Sequence, residues 1–463
     1  GGQGVPGEMQ EGLRGSSAEA PRKQFLIKLC SRGRGPASGG PSLPSPRDQN
    51  VFSLNIMLRV FSTPVPETIV IHTGFAFSRP PVPLEKLLLL FMCTPPPGIN
   101  EGRQKVEPLK GDVIRAMGGG GVTPGFLTAN RGKRSIALDL KSEDGVGIVK
   151  RLAAEADVFV QNFRPGAIDG MGLGESVIRE INPKIIYVSM SGFGEEGPYA
   201  HKRVYDPVIQ ALSGLADLQA TDEQDRPRMV RTVIPDKTTG ITAAQAITAA
   251  LLARERTGVG QHIKVAMLDV MVAYLWQEGL AGLTLVGEED RVKRGQRSKD
   301  LIYETSDGFI TAGAVSDAEW KGMCKALDKE DWLTDERFAS ARARGINVKL
   351  RLEMTAEVLK TNTSEYWLAR LDECEVPSAP VLSRPEVIEQ EQIKVNEVLF
   401  EYDHPGLGKV RQPRPAAVFE ATPVRTEQLA AKLGEHNTEI LEQAGYSDEE
   451  IAQFRESGVL GSG

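Results

Sequence analysis

From about residue 104 onward, short apolar runs alternate with amphipathic stretches. Residues 135–140 (SIALDL) read as a strand, and Ser142 is placed to cap a helix running through Ala156, with Val146, Val149, Leu152 and Ala153 on one side. Residues 157–163 (DVFVQNF) form the next predicted strand, ahead of Arg164-Pro165-Gly166. A short helix over 175–181 leads to a strand at 185–190 and the turn SGFGEEGP. Strand and helix alternating at this spacing predict a parallel sheet covered by helices. Asp206-Pro207 opens a further helix, with the aspartate read as its cap and the proline as its first helical residue. Residues 231–234 read as a short strand before an Ala-rich helix over 237–256, closed by Gly258. No charge falls between Lys237 and Arg254, which predicts burial nearly all round. A strand at 262–267 and a helix beginning near Asp269 follow.

The pattern then changes. Residues 286–375 mix short strands such as 307–312 with polar helices such as 317–327 and 347–360. The tail returns to turn-rich strands (HPGLGKVRQP and AAVFEATP) and ends in a helical LGEHNTEILEQAG segment. The expected fold class is α/β: an open parallel sheet with covering helices, in a Rossmann-like large domain formed by both ends of the chain, plus an inserted smaller α+β domain. The division expected is 1–103 for a divergent, largely disordered N-terminal segment, 104–268 for the first part of the large domain, 269–285 for a linker helix, 286–375 for the small domain and 376–463 for the return and tail.

Residues 1–103 differ in character. The first 50 hold 10 Gly, 6 Pro and 6 Ser, too little apolar content to offset their ordering entropy, so disorder is expected. Arg and Ser there suggest a transit peptide, a reading that Glu8, Glu11 and Glu19 oppose. Between 51 and 100, only 67–72 reads as a strand.

Composition narrows the chemistry. A length of 463 residues allows two or three domains. A net charge of −7 argues against a nucleic-acid partner. The four cysteines, Cys30, Cys93, Cys324 and Cys374, form no C-x-x-C, which disfavours a zinc ribbon or disulfide scaffold and suits the cytosol or mitochondrial matrix. The apolar run 87–93 is too short to cross a bilayer, so no membrane partner is expected. The five histidines form no metal-binding pair, and no metal is expected. No G-x-S-x-G elbow occurs, against an α/β-hydrolase. Gly118–Gly121 lacks the lysine of a P-loop, and 191–197 lacks G-x-G-x-x-G spacing.

Asp236 stands where residues 231–235 meet the long helix. Its residue type alone points to a helix cap. A carboxylate nucleophile needs the same setting, because N–H groups and the helix dipole keep it ionised and oriented.

Longer motifs separate these readings. The runs NRGKRSIALDLKS (130–142), ADVFVQNFRPGAIDGMGLG (156–174), INPKIIYVSMSGFGEEGPY (181–199), VYDPVIQALSGL (204–215) and PDKTTGITAAQAITAALLARERTGVGQHIKVAMLD (235–269) resemble the family III CoA-transferases. That family includes formyl-CoA and crotonobetainyl-CoA transferases and the 2-methylacyl-CoA racemases. The resemblance covers about residues 104–450, through DHPGLGKVRQP (403–413) and LGEHNTEIL (433–441).

The resemblance implies that Asp236 is the nucleophile. Attack on an acyl-CoA thioester would give a mixed anhydride, then an aspartyl-CoA thioester, and finally transfer of CoA to a carboxylic acid. It further implies that Asn162 and Phe163 pack against the pantetheine of CoA. Leu138, Lys141 and Met171 lie where the family contacts CoA, and Arg164 where the racemase branch meets its nucleotide end. Arg203 and Tyr205 match residues flanking the active site. Read singly, Phe163, Leu138 and Met171 are core residues, and Arg164 and Lys141 are solvated ones. CoA and acyl-CoA are implied as substrates with no permanently bound cofactor, and the partner as a second copy in an interlocked homodimer.

Three departures stand out. The family's first strand and glycine-rich turn are not recognisable before Lys105-Val106-Glu107-Pro108; Gly170 replaces a common arginine; and only Gly287 and Gly295 occur where some transferases carry a glycine loop. The alternatives are a racemase or epimerase, and a non-catalytic CoA-binding relative. The racemase mechanism wants a histidine before Asp206, where this chain has Tyr205, an acid titrating near ~10.

Overall fold

Six parallel strands form the principal sheet: β1 (Thr68–Ile71), β2 (Arg103–Glu107), β3 (Arg134–Ala137), β4 (Val158–Gln161), β5 (Ile186–Ser191) and β6 (Gln261–Ala266). Their spatial order is β3-β2-β1-β4-β5-β6. The computed structural model describes residues 68–71, 102–116, 122–220, 226–287, 301–423 and 429–461. All of these fall in the unit Asn50–Gly463. The disorder expected for residues 1–50, the glycine run 118–121, Gly295, Cys30 and Cys93 lie outside the described residues.

The strand expected at 67–72 is present as β1, and it occupies the middle of the sheet. Val70 pairs with Lys105 on one side and Val160 on the other. A strand from the stretch ahead of the recognised motifs thus lies between β2 and β4. Strand order reverses between β1 and β4, and in open α/β sheets such a reversal leaves a ligand crevice beyond the strands' carboxyl ends.

β4 and most of β5 are buried on both faces, which explains their nearly unbroken apolar sequences, VFVQ and IYVSMS. Phe159 and Tyr187 stack across them with ring centroids 4.8 Å apart. The helix Glu143–Ala154 covers the sheet with Ile148, Val149 and Leu152, and Ser142 caps it by accepting the Gly145 N–H at 3.0 Å. The tail joins the same core through Ile440, Leu441, Ile451 and Leu460. Asn437 stitches it down: its Oδ1 accepts the Ala137 N–H at 2.9 Å, and its Nδ2 donates to the Gly461 carbonyl at 2.8 Å.

β2 carries an unusual buried face of Arg103, Lys105 and Glu107. Lys105 Nζ donates to Asp112 Oδ2 at 2.7 Å. Arg115 donates to both oxygens of Glu107, at 2.8 and 2.7 Å, and Ser135 Oγ donates to Glu107 Oε1 at 2.7 Å. The Phe126 ring lies against Lys105 Nζ at 4.3 Å and the Arg115 guanidinium at 4.0 Å. Buried charges persist only when paired in this way.

A second sheet joins β7 (Ile302–Glu304), β8 (Phe309–Ala312) and β9 (Ser378–Pro380), all antiparallel. Its own core gathers Trp320, Trp332, Phe338, Trp367 and Leu371. Beyond it, β10 (Leu399–His404) and β11 (Gly408–Pro413) make an antiparallel hairpin. The expected strand AAVFEATP at 416–423 is irregular instead.

Two further expectations fail. Residues 231–233 form no strand, and the helix begins at once, as Ile234–Thr257. That helix is also not buried all round: Ile241 is 44% and Leu252 54% exposed. It packs against β5, β6 and two neighbouring helices through one side that includes Ala243 and Ala250. Absence of charge predicts an apolar surface, not what covers it.

Candidate active site

The loop after β4 begins with Asn162. This residue is half-buried, and its Oδ1 is buried without a hydrogen-bond partner among the described residues. Phe163 is buried in the sheet's core. Arg164 follows, half-buried. Burial lowers its pKa first and the charge of Arg203 second, while Tyr205 opposes both. Arg164 is therefore an electrostatic neighbour of Arg203 and Tyr205, although it lies on the loop after β4 and they on the loop after β5.

Tyr205 is the N-cap position of the helix Asp206–Leu212, and Asp206 is its first helical residue, a position later than its sequence suggested. The Asp206 carboxylate serves a different helix. Its Oδ2 accepts the backbone N–H of Asp236 at 3.2 Å, and its Oδ1 accepts from Gln210 Nε2 at 2.6 Å. Gln210 in turn accepts the Val230 N–H at 2.9 Å and donates to the Val230 and Thr232 carbonyls, both at 3.3 Å. Within 231–234 these bonds engage the Thr232 carbonyl, and the helix that follows already includes Ile234. Burial raises the pKa of Asp206, against lowering by Gln210, the Asp236 N–H and Lys237.

Asp236 is the third residue of the helix Ile234–Thr257 and 4% exposed. It sits within the first helical turn, where N–H groups lack intrahelical acceptors, and is not the cap itself. Nearby, Thr239 Oγ1 donates to the Pro235 carbonyl at 2.6 Å. Ile234 anchors this end of the helix by packing on a cluster of Ile209, Met267 and Met271, which Phe193 and Val204 also join.

The turn after β5 is tied to the start of the helix Met267–Trp276. The Leu268 N–H donates to the Gly192 carbonyl at 3.0 Å. A Cβ on Gly192 would lie 2.4 Å from Val204 Cγ1, so only glycine fits. Gly194 adopts φ 92°, and its N–H donates to Ser191 Oγ at 3.0 Å.

The structure thus brings Arg164, Arg203 and Tyr205 to the helix whose first residue contacts Asp236. The other positions fall elsewhere. Leu138 is a core residue that bridges to Leu460 beyond β3, and Lys141 is exposed after the same strand. β2 and β1 separate that strand from β4. Met171 is half-buried against the main core. Asp206 and Gln210 were not singled out from sequence as site residues; Asp-Pro marks a helix start, and nothing in it shows which amide the carboxylate will meet. Among the described residues no three His, Cys, Asp or Glu side chains gather as a metal site, and no helix is long and apolar enough to cross a membrane.

A parallel α/β sheet whose strand order reverses between β1 and β4 belongs to a class of folds in which ligands bind beyond the strands' carboxyl ends. Comparison with known proteins makes the class specific. The CoA-transferase family III model matches residues 105–437, and the chain belongs to that family of transferases. The human succinyl-CoA:glutarate CoA-transferase is 32% identical over 367 residues, 77% of this chain and 83% of the human protein. The formyl-CoA:oxalate CoA-transferase of Escherichia coli O157:H7 is 33% identical over 364 residues, 72% of this chain and 86% of its own length. Among solved structures, a CAIB/BAIF family protein from Brucella suis aligns with a TM-score of 0.63 at 30% identity, covering 74% of this chain and 92% of that one. A hypothetical protein from Mycobacterium tuberculosis aligns with a TM-score of 0.64 at 27% identity, covering 78% and 100%.

Proposed function

We propose that this protein moves CoA from an acyl-CoA thioester to a carboxylic acid, with Asp236 as the covalent carrier. The observation that carries the reading is a buried aspartate in the first turn of a 24-residue helix, whose start packs on the same cluster as Phe193 and Val204 of the loop that leaves β5. An Asp236 oxygen attacks the thioester carbonyl, forming the anhydride C–O bond and breaking the C–S bond, with CoA leaving as thiolate. The thiolate then attacks the aspartyl carbonyl and expels the donor carboxylate. The acceptor carboxylate repeats the first step on the aspartyl thioester, and the returning thiolate takes the acceptor acyl group and frees Asp236. Each step is effectively intramolecular while CoA stays bound.

Asn162 and Phe163 are assigned to the pantetheine arm, Arg164 to the nucleotide end, and Arg203 and Tyr205 to the acceptor side. The named relatives act with glutarate and oxalate, both dicarboxylates, and the exposed Arg203 suits a second carboxylate. Lys141 stays in the reading as a surface contact; Leu138 and Met171 support the sheet. An interlocked homodimer is part of the proposal, and the uncharged exposed stripe Ile241, Gln245, Thr248 and Leu252 supports it.

The test is incubation with succinyl-CoA or formyl-CoA and a panel of acceptor acids, followed by hydroxylamine and peptide mass spectrometry. The expected result is transfer to a dicarboxylate and a hydroxamate on Asp236. Transfer with no label on Asp236 would count against the carrier, and no transfer from any donor would count against the activity.

A further inference from the structure

A row of polar side chains crosses the sheet from the β4 loop to its far edge. Gln161 ends β4, Ser189 lies opposite it on β5, and His262 lies on the edge strand β6. The Phe163 N–H donates to Gln161 Oε1 at 2.9 Å. Gln161 Nε2 donates to Ser189 Oγ at 2.9 Å, and Ser189 Oγ lies 2.8 Å from His262 Nε2.

The first bond sets the direction of the others. A backbone N–H can only donate, so Gln161 turns its oxygen to Phe163 and its NH2 to Ser189. Ser189 Oγ accepts there, and the assignment that uses every group sends its own proton to His262 Nε2. That nitrogen is then unprotonated and the ring proton lies on Nδ1. Gln161 and Ser189 are buried, where an unmatched polar group is costly, so the row holds or fails as a unit.

We propose that His262 is a positioning residue for the Asn162–Phe163 turn, acting through Ser189 and Gln161. As a contribution to CoA binding, the proposal rests on the functional reading above. The turn follows β4, next to the reversal of strand order, and the hydrogen bond that fixes the Phe163 amide also sets how Asn162 is presented. His262 touches no reacting atom; it fixes the far end of the row.

The surroundings keep this imidazole an acceptor. Tyr187 on β5 meets it edge-on at 5.2 Å. Glu175 and Arg179 face it from the helix Glu175–Ile181, Glu195 from the loop after β5, and Lys264 from its own strand. The helix Ile234–Thr257, packed on β6, brings no charge between Lys237 and Arg254. Burial lowers the pKa of His262, with Glu175 and Glu195 opposing. Acidification turns Nε2 into a donor and deprives the Ser189 hydroxyl of its acceptor.

The experiment compares the full chain with His262→Phe, which removes the acceptor, and His262→Gln, which keeps one. Free CoA affinity is measured by calorimetry against pH, and exchange of the Phe163 amide by mass spectrometry with residue-level fragmentation. His262→Phe should bind CoA roughly fivefold more weakly, the equivalent of one net hydrogen bond, and exchange Phe163 faster. His262→Gln should restore both. Affinity of the parent should fall on the acid side of the ordinary histidine value of 6.5, and that of His262→Gln should not. Ser189→Ala breaks the same row and serves if the Phe variant does not fold. Unchanged Phe163 exchange and unchanged affinity in the broken-row variants overturn the proposal. A parent that binds no CoA overturns the functional reading alone, and Phe163 exchange still decides whether the row positions the turn.

Discussion

The backbone N–H of Asp236 donates to the Asp206 carboxylate at 3.2 Å, so the first residue of one helix caps the first turn of a later one. The bond engages the Asp236 amide and leaves the orientation of its carboxylate to the first turn. Asp206 is thereby tied to Asp236 geometrically without sharing its proposed chemistry.

If Asp236 carries the covalent intermediate, Asp236→Asn keeps its size and polarity but lacks the attacking anion. CoA transfer should fall by roughly three orders of magnitude or more. The helix dipole loses a favourable charge worth about 0.3–1 kcal/mol, so melting should shift only slightly. Steady-state transfer and calorimetric melting, measured together with deamidation monitored by mass, check both halves.

Asp206→Asn retains one acceptor oxygen where two donors, the Asp236 N–H and Gln210 Nε2, now bond. It should destabilise the protein by about 1–3 kcal/mol. The pH dependence has a definite sign. Burial raises the folded-state pKa of Asp206 above its ordinary 3.8, so the folded state binds this proton more tightly than the unfolded state. The parent therefore loses stability relative to Asp206→Asn as pH rises from 3.8 through the folded-state value, and the gap is level above it. Urea denaturation of both proteins across acidic pH measures this; a gap that widens with pH contradicts it.

Removing Arg115 leaves Glu107 buried with Lys105 as its remaining cation. Arg115→Ala should cost about 3–5 kcal/mol. Burial pushes Glu107 up, but Lys105 and Arg115 outweigh it and hold the carboxyl below its ordinary 4.5. That stabilisation is complete above 4.5 and is lost as pH falls through the depressed folded-state value. Parent and variant stabilities should thus converge in acid.

The uncharged stripe on the helix Ile234–Thr257 yields a prediction about assembly. Light scattering of the parent should give twice the 50.3 kDa chain mass, and Leu252→Glu should lower it. A parent at the single-chain mass rules out the proposed dimer.

Much of the principal sheet could be read from the chain because its helices and strands announce themselves locally. Ser142 and Gly145 mark one helix start, Gly258 with φ 72° closes another, and the strands around Val160 and Val188 are apolar on both faces. Even β1 was visible as TIVI, though not its central place, since four residues give no hint of their partners. What sequence could not show depends on long-range bonding. The segment 231–234 has strand-forming residues, yet Gln210 bonds the Thr232 carbonyl and both backbone groups of Val230 just before it, and the helix starts at Ile234. Asp206 looks like the cap of its own helix, and only the fold reveals that it caps another. At the proposed site, Asp236, Arg164, Arg203 and Tyr205 come from the motif resemblance, whereas Leu138 lies in the core as its residue type alone suggested.

β1 joins the pair β3-β2 to the triplet β4-β5-β6, and this affects the chain as it is made. β1 leaves the ribosome first. β2 then covers one edge, but the other stays open until β3 and the helix Glu143–Ala154 have emerged and β4 arrives. An unpaired edge of N–H and C=O groups is a template for any neighbouring strand, and closing so long a loop is slow. A nascent chain paused between β3 and β4 accordingly still offers one edge of β1 to wrong pairing. Holding that edge shielded during synthesis would raise the yield of folded protein without touching any residue of the finished enzyme.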